Sequence, residues 1–236
     1  MMQDSKTIAK AFYLSLPVMS GYLVLSFAFG MLMQKNGFGP LWSFAMSTFI
    51  FAGSMQYVAI GLLTGAASLI TMAVTTFMVN ARHLFYGISV LDLYRGAGAK
   101  KPYMIFALTD ETYSIVCSEE VRSHPDRHRL IFFLSLFNQS YWVLGSVLGA
   151  LIGPALPFNT AGIEFSMTAL FTASCTEMWR IKENRIPILA GLALTALSRL
   201  IFGQGSFLIP AVILITLSLT VGRKFLDHGK EADADA

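Results

Sequence analysis

Charge is scarce in this chain. Asp, Glu, Lys and Arg make up 13% of its 236 residues, where a soluble domain carries about 25%. Apolar residues fill the gap, at 55%. This balance excludes an ordinary soluble globule and implies an integral membrane protein with most of its length in the bilayer. The short alternating segments of a membrane β-barrel are also missing. The apolar runs are instead about 16–26 residues long, which suits helices crossing a hydrocarbon core of about 30 Å.

Further absences remove whole classes of chemistry. Cys117 and Cys175 fall in apolar segments without metal-ligand spacing and read as small core residues. His83 has no His or Cys at i+3 or i+4, so zinc has little support. Ser54 sits in Ala-Gly-Ser-Met, without the nucleophile-elbow context of a membrane hydrolase. There is no Walker A sequence or phosphate-binding Gly-rich loop, which argues against ATP-driven work by this chain alone. No Lys/Arg-rich stripe suggests nucleic acid. The expectation is a non-enzyme with no metal and no cofactor. Lys6 and Lys10 precede an apolar run over 11–33, longer than a signal h-region of about 7–15 residues. It reads as a retained first helix.

Eight hydrophobic segments follow one another, at 11–34, 41–64, 66–91, 103–118, 130–153, 163–179, 186–202 and 206–222. The expected fold is an all-α polytopic bundle, a single transmembrane domain over 11–222. A polar start (1–10) and a polar tail (223–236) flank it, both on the cytoplasmic side. Short cytoplasmic loops carry excess Lys and Arg, and from residue 119 onward the basic stretches alternate without conflict. The loop at 92–102, with Arg95, Lys100 and Lys101, does not fit. If all eight segments span, it lies outside; if segments two and four dip and return, it lies inside. Those two segments are the polar-interrupted ones, at Ala52-Gly53-Ser54-Met55-Gln56-Tyr57 and Thr109-Asp110-Glu111-Thr112. Discontinuous elements at membrane depth mark transporter binding sites. Eight spans, and six spans plus two re-entrant elements, both stand. Small-residue packing alone would also explain Gly53 and Ser54; Gln56 is the addition that packing does not need. Ser43–Thr48 resembles Glu164–Ala169, and Ala81–Phe85 resembles Ser198–Phe202. The matched order suggests a duplication, 11–118 against 130–222.

The costliest feature is Asn80-Ala81-Arg82-His83 inside segment three. A charge at the bilayer centre costs a few kcal/mol or more and survives facing protein or water, usually with a partner. On a helix Thr76, Asn80, His83 and Gly87 share one face, and Arg82 joins Thr75, Tyr86 and Ser89 on an adjoining one. Asp110 and Glu111 are the best counter-charges for Arg82. One of them can form a structural ion pair. The other is then free to take a proton beside a His that titrates near neutrality. Arg199 either lines the same cavity or snorkels to the interface. Glu164 and Glu177, near segment ends, read as interfacial.

Phe51-Ala52-Gly53-Ser54-Met55-Gln56-Tyr57, Asn80-Ala81-Arg82-His83-Leu84-Phe85-Tyr86-Gly87 and Leu108-Thr109-Asp110-Glu111-Thr112 together resemble the AzlC family over about residues 10–222. These are the large subunits of branched-chain amino-acid exporters of the azaleucine-resistance type. The resemblance implies a permease in the bacterial cytoplasmic membrane exporting valine, leucine or isoleucine, and in some members methionine. It also implies a small hydrophobic partner subunit of the AzlD type and coupling to the proton motive force. Ala173-Ser174-Cys175-Thr176-Glu177 departs from the family pattern, being more polar than the usual apolar run. The residue roles come from the residues themselves. Ser54, Gln56, Asn80 and Arg82 are the candidates for binding a small zwitterion. His83, Asp110 and Glu111 are the candidates for ion pairing or proton coupling. A proton or cation channel, or a structural or catalytic membrane subunit using the buried polar cluster, are the alternatives.

Overall fold

A computed structural model of the chain describes residues 2–155, 165–180, 182–207, 210–211 and 213–222. Glu164, the connection over 156–162, the tail from Arg223 and Lys224 onward and the side chain of Glu177 lie outside the described residues. All regular structure among the described residues is helical. The chain forms two compact units, residues 1–167 and 168–236.

The first unit holds α1 (Met2–Lys35), α2 (Gly39–Phe49), α3 (Gly53–Thr64) and α4 (Leu69–Ser89). After them come α5 (Lys101–Phe106), α6 (Asp110–Val116), the single turn α7 (Glu119–Arg122) and α8 (Arg127–Ile152). Ser5–Lys35 and Arg127–Ile152 are long and apolar enough to cross a membrane. α4, at 21 residues, is about 30 Å long and therefore long enough, but its polar residues dilute its hydropathy. Segment one extends into the polar start, because α1 begins at Met2. Pro17 lies within α1 and strands the Tyr13 carbonyl. Nearby hydroxyls bond elsewhere: Ser15 donates to the Phe12 carbonyl at 2.7 Å and Ser20 to the Pro17 carbonyl at 3.0 Å.

α1 and α8 form the scaffold, and they run parallel. Phe12 packs edge-on against Phe137 at 5.6 Å, the Ser15 and Tyr141 hydroxyls are 3.0 Å apart, and Gly153 lies against Met31. Residue numbers rise together along both helices. Their backbones touch: a Cβ on Gly30 would collide with the Ser146 carbonyl, and one on Gly149 with that of Phe27. Small residues at these positions permit the close approach that drives helix association where lipid is the solvent.

Two short-helix hairpins are placed against this pair from opposite ends. α2 starts at the Lys35 end of α1 and descends. Its Ser47 bonds Ser146 at 2.7 Å, and its Thr48 carbonyl accepts from Gln139 at 2.9 Å. The chain turns at Ile50–Ala52, and α3 climbs back. Gln56 reaches Ser47 at 3.3 Å. Phe38 and Trp42 at the start of α2 line one cavity with Leu62 and Leu63 at the end of α3. The break therefore meets the Ala52–Tyr57 stretch, where the sequence places it, only at Ala52; Gly53–Tyr57 is the opening of α3. Phe51 turns the corner at φ 42°, a conformation costing a non-glycine residue on the order of 1–3 kcal/mol. Its buried ring packs against Tyr22 and Phe106 at 6.5 and 6.4 Å.

The second hairpin enters from the Met2 end. Met104 of α5 and Val116 of α6 share a core with Ala11, Leu130 and Ile131. The turn between the two helices puts Thr109 against Tyr22, near the middle of α1. α4 runs between the ends. Met72 and Thr76 lie by Phe38 and Trp42, and Val90, just beyond its end, lies in the core with Ala11 and Leu130. The Met2 end also collects the basic loops: Lys10 pairs with Glu120 at 3.1 Å, and His128 Nε2 bonds the Leu93 carbonyl at 3.1 Å.

In the second unit lie α10 (Arg185–Ser206) and α11 (Ile213–Gly222), with α9 (Phe165–Trp179) beginning at the boundary. Arg185–Gly203 is the third helix of membrane-crossing length and hydropathy among the described residues. Segment seven ends at Gly203, as the sequence places it: the backbone there leaves the helical region at φ 72°, ψ 178°, and only a further turn continues to Ser206. Arg199 is exposed on α10, and Arg185 caps the Trp179 carbonyl at 3.2 Å. Cys117 and Cys175 are free and half-buried.

Candidate functional site

Ser68 starts α4 by accepting a hydrogen bond from the Thr71 amide at 3.1 Å, a cap of the preferred type. That register brings Arg82 level with both hairpin tips. Its Nη1 lies 3.0 Å from Asp110 Oδ2, and its Nη2 donates to Ser54 Oγ at 3.0 Å. Ser54 is in the first turn of α3 and Asp110 opens α6. One guanidinium thus ties together the tips of two hairpins that come from opposite ends of the bundle. The pair is neither sealed nor open, with 36% and 37% of the two side chains exposed. Arg82 Nε and Asp110 Oδ1 are buried without a hydrogen-bond partner among the described residues, so both groups retain bonding capacity toward a ligand.

The helix ends add to this. Both α3 and α6 aim their N-termini, the positive ends of their dipoles, at mid-bundle. Ala52 precedes α3 and supplies no side-chain cap, leaving first-turn N–H groups available. Thr109 caps α6 by accepting from the Thr112 amide at 3.3 Å, and the first turn carries Asp110 and Glu111. One tip is positive and bare; the other is capped and acidic.

Glu111 faces away from Arg82. Its Oε2 accepts from the Tyr22 hydroxyl at 2.6 Å. That hydroxyl is also 2.6 Å from Thr109 Oγ1, which donates to Thr112 Oγ1 at 3.0 Å; Asn138 Nδ2 donates to the same Thr112 oxygen at 3.0 Å. His83 donates through Nδ1 to the Asn80 carbonyl at 3.2 Å. Its ring meets Tyr86 edge-on at 5.8 Å, and Tyr86 stacks on Tyr113 at 4.4 Å. Asn80 is half-buried on the same turn. Gln56 does not join the cluster. It is fully buried, accepts from Trp142 Nε1 at 2.8 Å and donates to Ser47, which fastens the first hairpin to α8.

Ser54, Arg82 and Asp110 are therefore brought together directly, with Glu111 and His83 beside them. Tyr22, Thr109, Asn138 and Trp142 were not singled out from the sequence. For Asn138 a signal existed: Asn138-Gln139 sits in the middle of an apolar segment, as Gln56 does. Tyr22 and Trp142 look like ordinary aromatic residues of a membrane helix until the fold supplies their partners.

A family model described as AzlC protein matches residues 17–156, a range that includes both hairpins, α4 and α8. The chain is 43% identical over 220 residues to the branched-chain amino acid transport protein AzlC of Bacillus subtilis, covering 93% of this chain and 87% of the relative. It is 41% identical over 224 residues to an uncharacterized membrane protein of Haemophilus influenzae, covering 93% and 92%. It is 31% identical over 208 residues to the inner membrane protein YgaZ of Escherichia coli, covering 85% and 82%. No solved structure matches. With membrane relatives along nearly its whole length and apolar helices of spanning size, this multi-pass membrane protein belongs to the AzlC family.

Proposed function

We propose that this chain is the permease subunit of a secondary transporter that exports valine, leucine, isoleucine or methionine across the bacterial cytoplasmic membrane. The observation that carries the reading is Arg82 held between Ser54 and Asp110 at 3.0 Å each, where two half-length helices meet. A zwitterion needs opposite charges a few ångströms apart. Arg82 and the bare N-terminus of α3 receive the carboxylate, and Asp110 receives the ammonium. A cavity of ≈ 310 Å³ between α2, α3 and the first half of α4, toward the Lys35 end and not lined by Ser54, Arg82 or Asp110 themselves, is walled by Met46, Ile50, Met55, Met72, Thr76 and Trp42 among others. Met side chains there adapt to branched and unbranched apolar groups alike.

In the topology that goes with this reading, α1, α4 and α8 span, α2–α3 re-enters from the Lys35 side and α5–α6 from the Met2 side. With the later segments this makes six spans and two re-entrant elements. The 92–102 loop then joins Lys6, Lys10 and the 119–129 stretch on one side, taken as the cytoplasm, and the positive-inside rule is obeyed throughout. Exposed Phe77, Phe85 and Ile88 on α4 suit lipid or a small AzlD-type partner.

Efflux of labelled leucine from loaded cells tests the site. Arg82→Ala and Asp110→Asn both abolish it; wild-type efflux in both sinks the assignment. Single cysteines over 95–101 should react with an impermeant thiol reagent only in everted vesicles, and labelling on intact cells rules out the re-entrant topology.

A further inference from the structure

The adjacent carboxylates have different partners. Asp110 has a guanidinium, with the Tyr86 phenol also bonded to it; Glu111 has the Tyr22 phenol and no cation paired with it among the described residues. Glu111 can therefore gain or lose a proton without breaking an ion pair. From it a chain of hydroxyls runs away from the Arg82 site into the scaffold: Tyr22, Thr109, Thr112 and then Asn138. Tyr22, Thr112 and Asn138 are buried. At the far end Asn138 Oδ1 and Ser135 Oγ, one turn apart on α8, are buried and have no hydrogen-bond partner among the described residues. Two unpartnered polar atoms inside an otherwise apolar wall suit a bound water or hydronium. Ser135 lies on the Met2 side of this chain, next to Leu134 and Ile131 of the core that packs there. The titratable and charged groups around Glu111 and its neighbour Asp110 are Tyr22 from α1, Arg82, His83 and Tyr86 from α4, and Tyr113 from α6. From α8 the chain meets only the neutral Asn138.

We propose that Glu111, Tyr22, Thr109, Thr112, Asn138 and Ser135 form a proton-release branch, separate from the Arg82–Asp110 pair and opening toward the Met2 end of the bundle. The proposal rests on the transporter reading above. A Glu111 protonated from the opposite side donates from Oε2 to Tyr22, Tyr22 donates to Thr109, Thr109 donates to Thr112 in the direction the structure shows, and Thr112 donates to a water held by Asn138 Oδ1 and Ser135 Oγ. Each hydroxyl takes one proton from behind and gives its own forward, and the water leaves as hydronium; Asn138 positions that water without exchanging a proton of its own. Glu111 ends ionised and every hydroxyl ends neutral. Tyr22 is then the donor to Glu111 Oε2, and the Thr109 and Thr112 hydroxyls turn back. The reversal of one bond at the second tip is the event that couples proton load to the hairpin carrying Asp110.

Everted membrane vesicles containing the full-length chain together with its small partner subunit separate the two branches. Uptake of labelled leucine driven by an imposed pH gradient needs both; leucine counterflow at equal pH needs only the substrate site. Glu111→Gln and Tyr22→Phe are expected to lower gradient-driven uptake about 100-fold while counterflow persists. Asp110→Asn is expected to lose both. Tyr22→Phe keeps the ring and its packing, so its counterflow also reports a folded protein. Gradient-driven uptake that survives Glu111→Gln overturns the proposal, and so does parallel loss of both activities in Tyr22→Phe. Wild-type leucine flux indifferent to the pH gradient overturns it while leaving the transporter reading intact; no leucine flux at all in wild type overturns both.

Discussion

The tips of α2–α3 and α5–α6 face each other, yet their helix N-termini are satisfied in opposite ways. Ala52 leaves α3 uncapped, and the corner before it is made by a strained Phe51. Thr109 caps α6, and two carboxylates follow it. The first tip is an electropositive cup with spare donors. The second has its donors engaged and presents negative charge. Arg82 is shared because each tip offers it something different, a neutral oxygen on one side and a charge on the other. The contrast shows how two similar hairpins, entering from opposite ends, can form the two halves of a site for a molecule that carries both charges.

Both hairpins depend on the α1–α8 pair, so the largest effect comes from splitting it. In Gly149→Leu the new side chain meets the Phe27 backbone, which cannot move as a flexible side chain would. The expected cost exceeds about 3 kcal/mol. It should appear as loss of the monodisperse peak in detergent size-exclusion chromatography; a wild-type profile and melting temperature would remove the close contact from the account.

The hairpins differ in how firmly α8 holds them, and a matched pair of substitutions exposes this. Trp142→Leu empties a large buried volume and strands Gln56 Oε1; about 3 kcal/mol of stability should go. Asn138→Leu removes one bond to Thr112 but also removes a buried carbonyl that has no partner. Thr112 keeps its bond from Thr109, so the change should stay within about 1 kcal/mol. Thermal unfolding of the two variants side by side decides the order, and equal losses would mean that the hairpins are anchored alike.

Much of this arrangement was legible in the chain, and the failures have physical causes. Arg82, Asp110 and Ser54 stood out because charge and broken helices are costly in lipid, so their coming together follows from the need for partners. The all-helical architecture was legible from the length of the apolar runs. The corner of the first hairpin meets the polar Ala52–Tyr57 stretch only at Ala52, because the turn is made by Phe51 in the left-handed conformation, which an apolar aromatic residue does not announce. Gln56 was read as facing a ligand, because its partner Trp142 lies 86 positions away and a one-dimensional pattern carries no sign of it. The direction of the hairpins was open for the same reason. Whether the 24-residue stretch 41–64 crosses or returns depends on what its second half packs against, here the pairing of Gln56 with Ser47.

The smallest effect is also the sharpest test of the contrast between the tips. Ala52→Asp would give α3 the kind of cap that α6 already has, with a negative charge at the positive end of its dipole. Capping and dipole together should raise stability by about 0.5–1 kcal/mol, seen as a higher melting temperature in the absence of ligand. The same carboxylate would then occupy the N–H groups assigned to the substrate and stand beside Arg82. Leucine should therefore raise the melting temperature of wild type and do so much less in Ala52→Asp. Ala52→Ser, which caps without charge, should fall between. If all three proteins respond to leucine alike, the bare N-terminus of α3 does not receive the carboxylate, and Arg82 must hold it alone.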